Sequence, residues 1–421
     1  MNQTSKYLPS INAILGLAFL SVIFTTLSAY PAETDKLSSL IDEGEATLSF
    51  RYRYESVDHD SFAENAQAST LRSRLSLKSG NYKLLNFFLE LDDIHTIAKN
   101  DYNEGAGNTP GRLQYPVVAD PEGAEFNQLY AELNIAPGSS GKLRTRFGRQ
   151  RINLDNQRFI GGVGWRQNEQ TYDAASLQYT HGKFTGFYAY VDQVNRIFGP
   201  DVPAGKHDQN GTHLVNVSGN LSQTAKLAAY YYGIDNSDSP SFSTNTWGVR
   251  VTGEGKANSG TKLSYALEYA VQHDAGNNPG KFSANYWNLQ ATAAKAQIKI
   301  SLGWEVLEGD ANSPANEAFR TPLATLHAFN GWADVFLATP KAGLDDKYVK
   351  LQYGKEQWVL HARYHHFEEQ DGNARLGDEI DLRMGYKFSE NLRGDLYFAD
   401  FYGKNGLSDV RKFWLALSLT L

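Results

Sequence analysis

Between Arg144 and Gln167 the chain carries six arginines (Arg144, Arg146, Arg149, Arg151, Arg158 and Arg166) and one acid, Asp155. The whole chain is nevertheless acidic, with a formal net charge of -7. Guanidinium groups bind carboxylates through a two-pronged fork, and rings of arginine or lysine are a means by which pores select anions. With Phe147, Phe159 and Trp165 interleaved, the run is either a surface patch or the lining of an interior. Counted over this stretch alone the charge is +6 and -1, which leaves the arginines no local partners.

Two other groups of residues carry chemistry. Asp92, Asp93 and His95 end one apolar stretch, and His361, His365, His366, Glu368 and Glu369 crowd another. Acid and histidine side chains can activate water or hold a metal. On a strand, however, Asp92 and Asp93 point to opposite faces, and so do His365 and His366. No nucleophile–base pair emerges, so the sequence assigns no catalytic residue, no metal and no cofactor. Gly161-Gly162-Val163-Gly164 lacks both GxGxxG spacing and a helix to cap. The arginines alternate along strands and mark no known nucleic-acid reader, which excludes nucleic acid as a partner. The chain has no cysteine, so disulfides and thiolate metal sites are absent.

The elements that must position these residues are strands. Leu263, Tyr265, Leu267, Tyr269 and Val271 alternate with polar or small residues, as do Ile298, Ile300, Leu302, Trp304 and Val306. A period of two with one apolar face is the β signature. About eighteen such segments lie near 46–57, 69–79, 82–93, 125–135, 142–150, 172–181, 183–193, 211–219, 223–233, 244–253, 261–272, 284–294, 297–307, 345–353, 356–367, 378–388, 391–401 and 411–421. The weakest are 211–219 and the gap between 307 and 345, and sixteen strands is the alternative count. Most of these segments have the length of a tilted strand crossing a bilayer.

Tight turns such as Ser79-Gly80-Asn81, Gly182 and Lys295-Ala296 alternate with long connections at 94–124, 151–171, 194–210, 234–243, 273–283 and 308–344. Short turns at one end and long loops at the other are the plan of an all-β, transmembrane antiparallel barrel of the outer membrane. Only a closed barrel lets strands pair every amide in hydrocarbon. Aromatics near strand ends (Tyr52 and Tyr54, Tyr230 to Tyr232, Trp414) read as interfacial girdles. A soluble sandwich also alternates, but it requires neither strands of this length nor alternating loop lengths.

The ends of the chain fit that plan. Lys6, the apolar run from Ile11 to Leu27 and the small residues Ser28 and Ala29 read as a signal peptide over 1–29. Residues 30–45 form a short polar periplasmic leader, and 46–421 the barrel, in the outer membrane of a Gram-negative bacterium. Lipid and lipopolysaccharide are then partners of the outer wall, and the barrel is read as a monomer.

If the apolar face meets lipid, parity sends Arg51, Arg53, Arg72, Arg74, Arg144, Arg146, Arg250, Arg363 and Arg383 inward. Inward acids, among them Glu90, Asp92, Glu132, Glu268, Glu305, Asp381 and Asp395, are available to brace the wall. Parity sends Arg149 outward, so the strand is expected to have ended, bulged or reached the interface there, at Gly148. The loops at 94–124 and 308–344 either fold inward as a constriction or present an adhesive outer surface.

Phe147-Gly148-Arg149-Gln150, Asn156-Gln157-Arg158-Phe159-Ile160-Gly161, Trp165-Arg166-Gln167 and Thr171-Tyr172-Asp173-Ala174 together resemble the alginate-export family of outer-membrane proteins. A second block is similar to that family's long-loop region: Thr325-Leu326-His327, Phe329-Asn330-Gly331-Trp332-Ala333-Asp334 and Gly343-Leu344-Asp345-Asp346. The resemblance spans about 46–421 and is dense only in these blocks. It implies an eighteen-stranded barrel with an electropositive pore that passes an anionic uronate polymer. It places Arg149, Arg158 and Arg166 near that pore with Asp173 as the acidic partner, and it implies periplasmic export partners. The pore-lining set is then Arg72, Arg74, Arg144, Arg146, Arg149, Arg151, Arg158, Arg166, Asp173, Arg363 and Arg383. A general small-solute porin is the neighbouring reading; an adhesion barrel and a hydrolase are the more distant ones.

Overall fold

The computed structural model describes residues 36–136 and 141–421. The signal peptide expected at 1–29 lies outside the described residues, as does the first part of the 30–45 leader. The rest of the leader forms one helical turn, α1 (Ser39–Asp42), docked on the turn at 79–84. There Gly80 N donates to Leu40 O (3.1 Å) and Ser39 Oγ donates to Asn81 O (2.6 Å). A Cβ at Gly80 would fall 2.1 Å from Ser39 O, so only glycine permits this approach.

Eighteen strands follow in chain order. They are β1 (Glu45–His59), β2 (Ala66–Lys78), β3 (Leu85–Asp101), β4 (Gly123–Ile135), β5 (Gly141–Gln150) and β6 (Thr171–His181). Next come β7 (Phe184–Asn195), β8 (Lys206–Asn220), β9 (Ala225–Ile234), β10 (Thr244–Lys256), β11 (Lys262–Asp274) and β12 (Ser283–Lys295). The last are β13 (Ile298–Leu307), β14 (Leu344–Lys355), β15 (Trp358–Glu368), β16 (Arg375–Lys387), β17 (Leu392–Gly403) and β18 (Val410–Thr420). Each pairs antiparallel with its sequence neighbours, and β18 pairs with β1, so the sheet closes without an edge.

The count is eighteen rather than sixteen because 211–219 belongs to a strand starting at Lys206, and 308–343 holds no strand. β3 runs to Asp101, past the end expected near 93. Connections at one end of the barrel span 60–65, 102–122, 151–170, 196–205, 235–243, 275–282, 308–343, 369–374 and 404–409. Those at the other include 182–183, 296–297 and 356–357. The outer face is an apolar belt: Val249, Leu267, Leu302, Leu351 and Leu382 are all exposed.

The main buried cluster lies inside the barrel, toward the long-loop end. Ile152, Phe159 and Ile160 of one loop and Phe319, Leu323, Trp332 and Phe336 of another pack on Tyr230, Tyr232, Tyr286, Phe367, Phe401 and Trp414 of the wall. This corrects the girdle assignment for three aromatics. Tyr230 and Tyr232 stack on each other (4.8 Å) and flank Phe159, and Trp414 is 0% exposed beside Trp165 and His327. Tyr231, between them, faces outward against Trp247.

Candidate functional site: two loops locked inside the barrel

The 151–170 and 308–343 loops, which hold most of the two blocks singled out in the sequence, meet each other inside the barrel. Ile160 and Leu323 form a parallel bridge. Gly161 N donates to Leu323 O (2.9 Å), and Thr325 N donates to Gln157 O (3.0 Å). Gln170 Nε2 and the Tyr172 hydroxyl both reach Gly161 O, at 2.9 and 3.0 Å. Trp165 lies flat on His327 with ring centroids 4.1 Å apart, and Arg53 covers the Trp165 ring at 4.3 Å. The 308–343 loop therefore folds inward. The 102–122 loop contributes Asp120, whose Oδ1 accepts from Gln167 N (2.8 Å).

Arginines hold this assembly, and each has partners from elsewhere in the chain. Arg158 is 2% exposed and donates to Glu305 on β13 (2.8 Å), Asn330 (3.0 Å) and Thr321 (3.3 Å). Arg166 pairs with Glu55 on β1 (2.9 Å) and Asp334 (3.5 Å). Arg151 pairs with Glu169 and with Glu90 (3.1 Å). Arg74 forks onto Asp92 with two bonds of 2.6 Å and reaches Glu169 at 3.0 Å; Arg72 lies 3.7 Å from Glu169. Burial alone would push the Glu169 carboxyl up, but Arg74, Arg151 and Arg72 outweigh it and hold it down at about 2. Asp334, equally buried, is pushed well below the usual carboxylate range by His327, Lys412 and Arg166. Lys412 Nζ reaches it at 2.9 Å from β18.

The inference that the 144–166 run lacks partners is thus overturned. Its acids come from Glu55, Glu90, Glu132, Glu305 and Asp334, all distant in sequence, and from Glu169, two residues past the stretch counted. Arg146 pairs with Glu132 (2.6 Å), whereas Arg144 bonds only Gln178 (2.6 Å) among these described residues. Arg383 Nε and Nη2 both donate to Asp395 Oδ1, at 3.0 and 2.9 Å.

Arg149 and Asp173 stand apart from the rest. They are partners, at 2.8 and 3.0 Å, but Arg149 pairs in register with Leu129, which is 51% exposed, and shares a face with Phe147. Of the three expectations the strand neither ends nor bulges there: Gly148 adopts φ 119° and the ladder continues to Gln150. The pair therefore lies on the outer face, near the long-loop end of β5. There the cost of a charge facing lipid falls to about 0–1 kcal/mol, and mutual neutralisation lowers it further.

On the inner wall, the 308–343 loop is also held by carboxylates that accept backbone amides. Ala333 N donates to Glu379 Oε1 (2.7 Å) and Trp332 N to Asp381 Oδ1 (3.3 Å). His365 bonds Asp346 (2.9 Å) inside, while His366 bonds Asp378 (2.7 Å) on the opposite face. Asp92 faces Arg74, and Asp93 pairs with His95 (3.0 Å). Among the described residues no three His, Asp or Glu side chains are arranged to hold a metal ion.

Below the docked loops the wall carries Arg363, expected inward from the sequence, and two lysines that the sequence reading left aside. Lys350 and Arg363 face each other in register on β14 and β15, and neither forms an ion pair with a carboxylate among the described residues. Lys350 lies over the Tyr348 ring (4.0 Å) and Arg363 over the Trp332 ring (4.4 Å), which places this face on the lumen. Lys299, on the same inner face of β13, is exposed and also without such an ion pair.

The fold is shared with solved outer-membrane channels. OccAB2 of Acinetobacter baumannii superposes with a TM-score of 0.69 at 19% identity, covering 91% of this chain and 99% of that one. OpdK of Pseudomonas aeruginosa, crystallised with vanillate, superposes with a TM-score of 0.70 at 13% identity, covering 91% and 99%. None of the curated proteins matches. The alginate export family matches residues 44–306, which include the 151–170 loop and stop before the 308–343 loop. That match takes in more than half of the sequence, and with the closed eighteen-stranded barrel it shows that the chain belongs to the alginate export family and is a porin-like β-barrel of the Gram-negative outer membrane.

Proposed function

We propose that this channel prefers anions and passes acidic oligo- or polysaccharides of the alginate kind. The observation that carries this reading is the Lys350–Arg363 pair. Like charges directly opposite on neighbouring strands are destabilising; Asp381 lies opposite Arg363 on its other side, on β16, yet neither cation closes an ion pair with a carboxylate among the described residues. A wall that retains such a half-buried pair on its lumen face at mid-strand supplies a local excess of positive potential. Positive side chains facing a pore raise the local concentration of anions and exclude cations. The arginines of the 151–170 loop support the reading indirectly, because they hold the loops that narrow the lumen above this pair.

Planar-bilayer recordings in a salt gradient test it. The wild-type channel gives an anion-selective reversal potential and is blocked by short oligouronates. The Lys350→Gln, Arg363→Gln variant loses much of both. A cation-selective wild-type channel would overturn the proposal.

A further inference from the structure

A second set of cations lies at the short-turn end of the barrel, which is the periplasmic end of an outer-membrane barrel. β5 carries Lys142 and Arg144 on the face shared with Arg146. In register, Arg144 lies between Asn134 of β4 and Gln178 of β6, and Lys142 lies beside Thr180. Asn134, Lys142, Arg144, Gln178 and Thr180 line a cavity of about 320 Å³. That is within the range of small-molecule sites, ~300–1,000 Å³, and gives room for a sugar unit.

The polar side of the cavity carries donors and no carboxylate, beside an apolar side of Ile135, Ala136 and Leu143. Neither Lys142 nor Arg144 forms an ion pair among the described residues. The nearby carboxylate, Glu132, is already engaged by Arg146 Nε (2.6 Å) and Asn134 Nδ2 (2.8 Å). Arg144 Nη2 donates to Gln178 Oε1 (2.6 Å), which fixes the guanidinium and leaves its other donors available. A fixed guanidinium binds carboxylate in a bidentate fork, with an ammonium beside it as a point charge. Gln178 and Thr180 offer hydrogen bonds to hydroxyls.

We infer that this cavity is a carboxylate-sugar site that receives a uronate residue at the periplasmic mouth. The inference rests on the anion-channel reading and adds to it a place and a side. A shallow two-cation site binds weakly, as conduction requires: favourable enough to enter and weak enough to leave.

The test uses the full-length protein in planar bilayers, with oligouronates of about six sugars added to one compartment at a time. Lys142→Gln with Arg144→Gln is expected to weaken block from the periplasmic side about tenfold and to leave block from the other side near wild type. Gln178→Glu, which puts a carboxylate within reach of Arg144, is expected to weaken it in the same direction while keeping both cations. A neutral oligosaccharide of equal length should block wild type and variants alike. Unchanged periplasmic-side block, or an equal loss from both sides, would overturn the site. Failure of the parent reading is scored separately, by the wild-type reversal potential.

Discussion

Replacing Arg158 by Met removes the charge that joins the two loops to the wall while keeping most of the side chain's length. In the native arrangement Glu305, 1% exposed, accepts from Arg158 Nε at 2.8 Å, from the Tyr286 hydroxyl at 2.7 Å and from Asn330 Nδ2 at 2.8 Å. Removing one partner of a buried ion pair costs ~3–5 kcal/mol, because the other charge is left uncompensated. Two neutral donors remain on Glu305, which favours the lower end, about 3 kcal/mol. At ~1.4 kcal/mol per tenfold, the undocked fraction of the loops should rise roughly a hundredfold.

Trypsin reads that fraction, because Arg320 and Lys341 lie in the 308–343 loop. Cleavage tracks the open population when opening and closing are fast. The expected result is cleavage of the loop about a hundredfold faster in the Arg158→Met protein, with more open-channel noise in single-channel recordings. Adding Glu305→Gln removes the stranded charge and should restore a large part of the protection, a coupling on the order of 2 kcal/mol. Wild-type cleavage in the single variant, or no recovery in the double, would refute the argument that this ion pair locks the loops.

Acid should loosen the same assembly from its other side. Glu169 sits at about 2 when docked and near 4.3 when free. Its contribution is therefore full above about pH 4.3 and lost as pH falls toward 2, up to ~3 kcal/mol in all. Single-channel noise should rise between pH 5 and 3, and Glu169→Gln should flatten that response. Gly331→Ala should undock the 308–343 loop, since Gly331 has φ 86° and a Cβ there would fall 2.2 Å from Glu379 Oε2. The left-handed conformation alone costs an L-residue ~1–2 kcal/mol, and trypsin protection of the loop should drop about tenfold or more.

What the sequence shows directly is the wall, because a period of two is written in adjacent residues. What lies inside the wall depends on contacts between residues 111 to 168 positions apart, such as Arg166 with Glu55, Arg158 with Glu305 and Arg166 with Asp334. Counting charge along 144–167 could not find those acids, and it stopped just before Glu169. One trace of the docked loops is local, however. Where an inner face packs on a loop instead of water, it becomes apolar and the alternation fails. Failures of this kind at the long-loop ends are Tyr230-Tyr231-Tyr232 on β9, Tyr286-Trp287 on β12, Phe401-Tyr402 on β17 and Phe413-Trp414 on β18. In each, one residue faces outward and at least one is buried inside. Paired aromatics toward the long-loop ends of otherwise alternating strands thus mark where loops descend. Nearer the short turns, Lys142, Arg144, Lys299, Lys350 and Arg363 stay outside the ion pairs of the described residues. The arginine-rich run serves to hold the channel's interior in place. On the proposed function, the charge offered to an anion is that of the unpaired lysines together with Arg144 and Arg363.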